Sequence, residues 1–315
     1  MCIVSDRSEK ALLSLVIPLY REASHFAESL QEIIAVLKNI PIRYELVLID
    51  DGSPDNTWEV IEQQCALFAE VKAARLSRNF GKEAALAAGL EHARGDAVIV
   101  MDGDLQHPPT LIPEMVACWR EGADVVEAVK RARAKESIFT RINSRAFYAV
   151  FSRLTGFDLR GASDFKLMDR RVVEAWRAMD ERNLFFRGMN AWLGFERAQI
   201  RYDVDERAGG ESGWSTMQLM RLAVTAVASF SSAPLYLLIG TGLGFAAFAV
   251  ILGAQTLLRK LSGTAVDGFT TIILLLLILG CALMLGMGLI GVYVARIYEE
   301  VKRRPRYVIA QWNAE

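Results

Sequence analysis

The chain has 315 residues, 52% of them hydrophobic and 23% charged, with a formal net charge of −1. Those values suit one large domain plus a further element, exclude a disordered chain, and argue against a nucleic-acid partner. Cys2, Cys65, Cys118 and Cys281 lie without paired spacing beside only three histidines, which argues against a disulfide framework or a zinc site and fits a reducing compartment.

The N-terminus carries Asp6, Arg7, Glu9 and Lys10 before any apolar run, too charged and too short for a secretory signal. The first domain is therefore expected to stay in the cytoplasm. Residues 12–19 and 44–49 are apolar runs of strand length, each followed by a polar turn and a helical pattern, and residues 97–101 repeat the rhythm. This alternation predicts a mainly parallel sheet covered by helices. Ligands of such sheets sit beyond the carboxyl ends of the strands, so the residues after each run are the ones to inspect. They are Pro18-Leu19-Tyr20-Arg21-Glu22, then Asp50-Asp51-Gly52-Ser53-Pro54-Asp55-Asn56-Thr57, then Ser77-Arg78-Asn79-Phe80-Gly81-Lys82, then Asp102-Gly103-Asp104-Leu105-Gln106-His107-Pro108-Pro109.

The last of these carries the most chemistry. A buried strand ending in carboxylates on alternate residues, Asp102 and Asp104, delivers both to a sheet edge, where oxygen ligands hold a divalent cation and through it a phosphate-bearing ligand. Asp50 and Asp51 are short acceptors suited to a nucleobase N–H or ribose hydroxyls, whereas Asp55 suits the cap of a helix beginning near Thr57. Arg78 and Lys82 flank the start of a helix expected over residues 82–93, so they serve either a diphosphate or solvent. His107 is either a third metal ligand or a turn residue with its ring on the surface. The basic run 130–135, followed by Arg141, Ser144, Arg145 and Tyr148, reads as a solvated helix face or as a pocket for an acceptor's phosphate at a membrane surface, with Arg131 and Arg141 among its contacts.

Residues 222–258 and 268–295 contain no charged side chain, and each stretch exceeds the roughly 20 residues that cross a hydrocarbon core. Pro234 divides the first stretch: residues 214–232 have the spacing of an amphipathic helix on the membrane surface, leaving a span over 235–258. Arg221 precedes the spans and Arg296, Lys302, Arg303, Arg304 and Arg306 follow them, so both ends are expected in the cytoplasm and the spans form a hairpin. Gly240, Gly242, Gly244, Gly286, Gly288 and Gly291 would let spans pack closely, within the hairpin or in an oligomer.

Pro-x-Tyr-x-Glu, Asp-Asp-Gly-Ser-x-Asp-x-Thr and Asp-x-Asp-Leu-Gln-His-Pro-Pro, in this order and spacing, resemble the inverting GT-A glycosyltransferases that act on polyprenyl phosphates, the group of dolichol-phosphate mannose synthase and the bacterial undecaprenyl-phosphate glucosyltransferases. The resemblance covers essentially the whole chain. It implies an α/β fold: a GT-A domain (Rossmann-like, mainly parallel sheet) over residues 1–212, an amphipathic interface helix over 213–233, two transmembrane helices over 234–296 and a basic cytoplasmic tail over 297–315. It implies donor contacts at Pro18, Tyr20, Glu22, Asp50, Asp51, Asp102, Gly103, Asp104 and Arg207, although Tyr20 is also a candidate for the core. Metal contacts, to magnesium or manganese, fall on Asp104 and Gln106, and acceptor-phosphate contacts on Ser144 and Arg145. The segment 161–170 matches the family's Asp-Phe-Arg/Lys-Leu-Met-Asp-Arg stretch and turns Asp164 toward the reaction centre, with Asp180 and Glu181 as the rival acidic pair.

Two departures stand out. Gly103 replaces a common Ala, which is expected to be harmless, and Gly213 replaces the Lys that usually follows Ser212, which shifts the diphosphate charge to Arg207 or Arg187. The implied activity is inverting transfer of a sugar, glucose from UDP-glucose foremost and mannose from GDP-mannose as the alternative, to undecaprenyl phosphate at a bacterial inner membrane, for a cell-envelope glycan. The implied partners are the nucleotide-sugar, the polyprenyl phosphate, the lipid bilayer, a homo-oligomer and a lipid-linked-sugar flippase. A polysaccharide synthase would carry Gln-x-x-Arg-Trp and more spans, an oxidoreductase a Gly-x-Gly-x-x-Gly turn, and a non-catalytic binder would lack the metal carboxylates.

Overall fold

The computed structural model describes residues 7–130, 163–179, 181, 186–202, 233–262 and 268–313. Two compact units divide the chain, one of residues 1–213 with 304–315 and one of residues 214–303.

In the first unit the chain runs β1 (Leu12–Leu19), α1 (Phe26–Leu37), β2 (Arg43–Asp50), α2 (Thr57–Leu67), β3 (Val71–Leu76), α3 (Lys82–His92), β4 (Ala97–Val100), α4 (Ile112–Arg120), β5 (Val125–Lys130), β6 (Lys166–Asp169), α5 (Arg170–Arg177), α6 (Phe186–Trp192) and β7 (Arg197–Tyr202), and a last strand, β8 (Ile309–Asn313), closes the list. Strand order is β7-β5-β6-β4-β1-β2-β3-β8. The apolar runs become central strands because both faces are covered: every residue of β4 is buried, and all but two of β1. Helix α1 shows the complementary pattern, with Phe26, Leu30, Ile33, Ile34 and Leu37 on one buried stripe. Parallel pairing joins β1 to β2, β2 to β3, β1 to β4 and β5 to β7, so the expected mainly parallel sheet is present.

Register decides what meets at the sheet's end. Leu19 lies beside Asp50 and Val16 beside Val100, so the residues that follow β1, β2 and β4 emerge at a common edge. Strand β6 runs antiparallel to β4 with Val100 opposite Lys166, which brings Asp164, just before β6, to the level of Asp102, just after β4. The next pairing sets Glu127 of β5 opposite Lys166, and these two buried side chains form an ion pair of 3.1 Å.

The tail differs from the expected basic extension over 297–315. Residues up to Val301 belong to a helix of the second unit, and Ile309–Asn313 pair antiparallel with β3 as β8. The physical reason is that residues 307–313 carry no charged side chain, and the open edge of β3 supplies hydrogen-bond partners.

The second unit holds α7 (Ala233–Leu261) and α8 (Phe269–Val301), of 29 and 33 residues. At 1.5 Å per residue each is longer than the roughly 30 Å of a hydrocarbon core. Within them Leu238–Gln255 and Ile278–Val301 have mean hydropathies of 1.8 and 2.2 and almost no buried residues, the composition of helices that associate with membrane. Of the six glycines marked for close packing, Gly286 alone has a near neighbour among the described residues: a methyl there would stand 3.0 Å from Leu238 Cδ1. The amphipathic segment 214–232 lies outside the described residues.

Candidate active site

A cleft of about 290 Å³ opens at the common strand edge, lined by Pro18 near the end of β1, Tyr20 and Glu22 after it, Asp51 after β2, Lys82 at the start of α3, and Asp102, Gly103 and Asp104 after β4. The structure thus brings together seven of the nine residues singled out for the donor. Tyr20 is 38% exposed with the Arg21 guanidinium 5.3 Å from its ring centre, which removes it from the core. At Gly103 a Cβ would stand 2.6 Å from Leu19 Cδ2, so a methyl there would require the leucine side chain to shift.

Asp50 is the departure. It is fully buried and does not line the cleft; its carboxylate accepts from the Ser53 N–H at 3.0 Å and lies 3.3 Å from Arg75 Nε. It shapes the turn, and the register explains why, since Asp50 is still the last residue of β2. Asp51 accepts from the Phe80 N–H at 2.7 Å and the Gly81 N–H at 2.9 Å, clasping the loop 77–81 beside the cleft. Burial pushes both carboxyls up from the ordinary range.

Charge in the cleft is organised around Lys82. Its ammonium stands 2.6 Å from Asp102 and 3.3 Å from Asp164, and Asp164 in turn receives Arg187 Nε at 2.7 Å and Nη2 at 2.8 Å. Burial pushes the Asp164 carboxyl up, but the Arg187 fork and Lys82 outweigh it and hold the group well below the usual carboxylate range. Asp164 is therefore a fixed anion and a poor proton acceptor. Glu181, its rival as a base, is exposed.

Asp104 Oδ1 accepts from the Gln106 N–H at 3.1 Å across Leu105, whose φ of 54° turns the chain sharply. Among the described residues Oδ2 of Asp104 has no hydrogen-bond partner, and Gln106 is exposed beside it. An oxygen-only pair of this kind suits a hard divalent cation whose remaining positions are filled by phosphate and water. His107 is not part of it. Its ring is buried, Nδ1 is 2.6 Å from the Tyr202 hydroxyl and Phe165 packs at 5.2 Å, so neither the metal nor the surface role applies. Arg131, Arg141, Ser144, Arg145, Arg207 and Gly213 lie outside the described residues.

Residues 14–176 match the profile described as Glycosyl transferase family 2. The chain belongs to that family. Relatives span nearly its whole length: the uncharacterized glycosyltransferase sll0501 of Synechocystis sp. is 36% identical over 306 residues, covering 96% of each chain. The prophage-derived bactoprenol glucosyl transferase of Shigella flexneri is 36% identical over 299 residues, covering 94% of this chain and 97% of its own. A prophage bactoprenol glucosyl transferase homolog of Escherichia coli is 36% identical over 302 residues, 94% and 98% covered. Among solved structures, mannosyl-3-phosphoglycerate synthase from Rubrobacter xylanophilus aligns at 20% identity with a TM-score of 0.48, covering 69% of this chain and 72% of that one.

This family 2 glycosyltransferase also has a carboxyl beside the site that the sequence did not disclose. Glu83, next to Lys82, accepts from the Phe186 N–H at 2.8 Å, and burial pushes its carboxyl up from 4.5 to about 7. No spacing marks it, because its partner is a backbone group about a hundred residues away. A raised carboxyl binds its proton more tightly folded than unfolded, so its contribution to stability is full below pH 4.5 and is lost as the pH rises toward 7. In thermal melts, Glu83→Gln is expected to flatten the decline of Tm across that window. An unchanged pH profile in the variant would show that Glu83 titrates normally.

Proposed function

We propose that the enzyme transfers a sugar, glucose from UDP-glucose foremost, to undecaprenyl phosphate with inversion, on the cytoplasmic side of a bacterial inner membrane that its two apolar helices cross. Two of the relatives carry bactoprenol glucosyl transferase in their names, and both align over nearly all of this chain. The observation that carries the reading is the cleft itself, which gathers Tyr20, Glu22, Asp51, Asp102 and Asp104 with Lys82, whose ammonium joins it to Asp164 and through that to Arg187.

Tyr20, Glu22 and Asp51 are the groups for the nucleoside, and Asp102 with Lys82 for the sugar and the diphosphate. Asp104 and Gln106 would hold a magnesium or manganese ion, which would supply charge neutralisation for the departing nucleoside diphosphate. The acceptor oxygen needs no strong base, because a phosphate monoester has its second pKa near ~6 and is ionised at neutral pH. That agrees with Asp164, whose lowered pKa suits orientation rather than proton abstraction. One attack on the anomeric carbon, with the diphosphate leaving from the opposite face, gives inversion. The basic segment 130–145 and Arg207 complete the proposal as acceptor-phosphate and donor contacts.

Incubating the purified enzyme with a mixture of nucleotide sugars and undecaprenyl phosphate, then weighing the lipid product by mass spectrometry, tests sugar and acceptor together. A hexosyl-phosphoryl lipid made only from UDP-glucose, and lost with EDTA, is expected. Undiminished turnover without metal would remove the role of Asp104 and Gln106, and a mannosyl product would replace the donor.

A further inference from the structure

The residues after α8 do not trail away; they grip the two structures that lead to the cleft. Strand β8 pairs with β3 from Ala73–Asn313 to Leu76–Ile309, and the Ser77 N–H donates to the Val308 carbonyl at 2.8 Å. Ser77 opens the loop whose Phe80 and Gly81 amides are held by Asp51. The second grip is on α3. The Tyr307 hydroxyl donates to Glu91 Oε2, Arg306 lies 3.7 Å from Glu91 Oε1, and the Trp312 ring packs 4.5 Å from His92.

Helix α3 is a stiff connection between those contacts and the site. Every residue from Ala84 to Leu90 is buried, and the helix carries Lys82 and Glu83 at one end and Glu91 and His92 at the other, about 15 Å apart at 1.5 Å per residue. Its carboxyl end is firm on the other side as well, since the Arg177 guanidinium donates to the carbonyls of Leu90, Glu91 and Ala93. A displacement of the tail therefore reaches Lys82 through packed backbone.

We infer that the tail 304–313 is a positioning strap for the donor side of the active site, with Tyr307 and Trp312 as its principal residues. It acts through Glu91 and β3 on Lys82 and the loop 77–81, and it touches neither substrate. Because the strap is the direct continuation of α8, the donor site is in order only when the chain returns from the apolar helices to the sheet. This rests on the proposed nucleotide-sugar donor, and the test separates the two.

In the full-length enzyme, Tyr307→Phe is expected to raise the KM for UDP-glucose about threefold and Trp312→Ala about tenfold, with kcat and the KM for undecaprenyl phosphate within about twofold of wild type. Glu91→Gln combined with Tyr307→Phe should be no worse than the more severe single change, as for two groups on one path. Hydrogen exchange supplies a readout independent of the donor: the amides of loop 77–81 should exchange faster in Trp312→Ala. A strap variant with lowered Tm but unchanged donor KM and unchanged exchange in that loop would overturn the inference. Wild-type enzyme that neither binds nor uses any nucleotide sugar would overturn the donor reading beneath it, while loop exchange still reports on the strap.

Discussion

Asp104→Ala is expected to lower kcat/KM for sugar transfer by about a thousandfold, the scale of losing one group that stabilises charge in a transition state. Among the described residues the side chain makes a single hydrogen bond, to the Gln106 N–H, so the fold has little to lose and Tm should stay near that of wild type. Gln106→Ala leaves the carboxylate and should cost less, about ten- to a hundredfold. Activity of Asp104→Ala, titrated against manganese, distinguishes weakened metal binding from lost chemistry: recovery at high metal points to affinity. An Asp104→Ala enzyme with full activity in EDTA would remove the carboxylate from the mechanism.

Lys166→Ala should be the most damaging change to stability, by about 3–5 kcal/mol, because it strands a charge where water cannot reach it. Lys166 and Glu127 are 0% and 2% exposed, Glu127 Oε2 already lacks a partner among the described residues, and burial pushes the lysine down despite the carboxylate beside it. In a domain of this size the loss corresponds to a drop in Tm of roughly 10 °C. The double change Lys166→Met with Glu127→Leu removes both charges and should recover most of that loss, as paired apolar replacements of buried ion pairs often do. Denaturant or thermal melts of the three variants decide it; a single variant as stable as wild type would mean that water reaches the pair.

What the sequence made legible follows from how local each signal is. The strands at 12–19, 44–49 and 97–101 are short-range patterns, and each appears within a residue of its expected place. The helix expected over 82–93 ends one residue early, at His92. That the residues after these strands meet at one edge was legible for the same reason, since a parallel sheet gathers its carboxyl ends whatever the loops contain. Asp50 was misplaced because a shift of one residue along a strand end separates a side chain that lines the cleft from one that is buried in the turn. The Lys82–Asp164–Arg187 chain, the Glu83–Phe186 contact and the Lys166–Glu127 pair depend on the antiparallel insertion of β6, which no periodicity announces. The tail was read from its charge, and charge says nothing about an open strand edge far away in the chain.

That edge has a consequence for how the molecule is made. Among the described residues the outer partner of strand β3 is Ile309–Asn313, which leave the ribosome after both long apolar helices. Until then the nascent sheet exposes a row of unpaired amides and carbonyls, the kind of surface on which one chain mispairs with another. Domains fold as they emerge, so this one waits with one side unsealed while the helices are still being synthesised. Truncations near the carboxyl terminus should consequently appear first as poor yield and aggregation during expression, before any assay of transfer is reached.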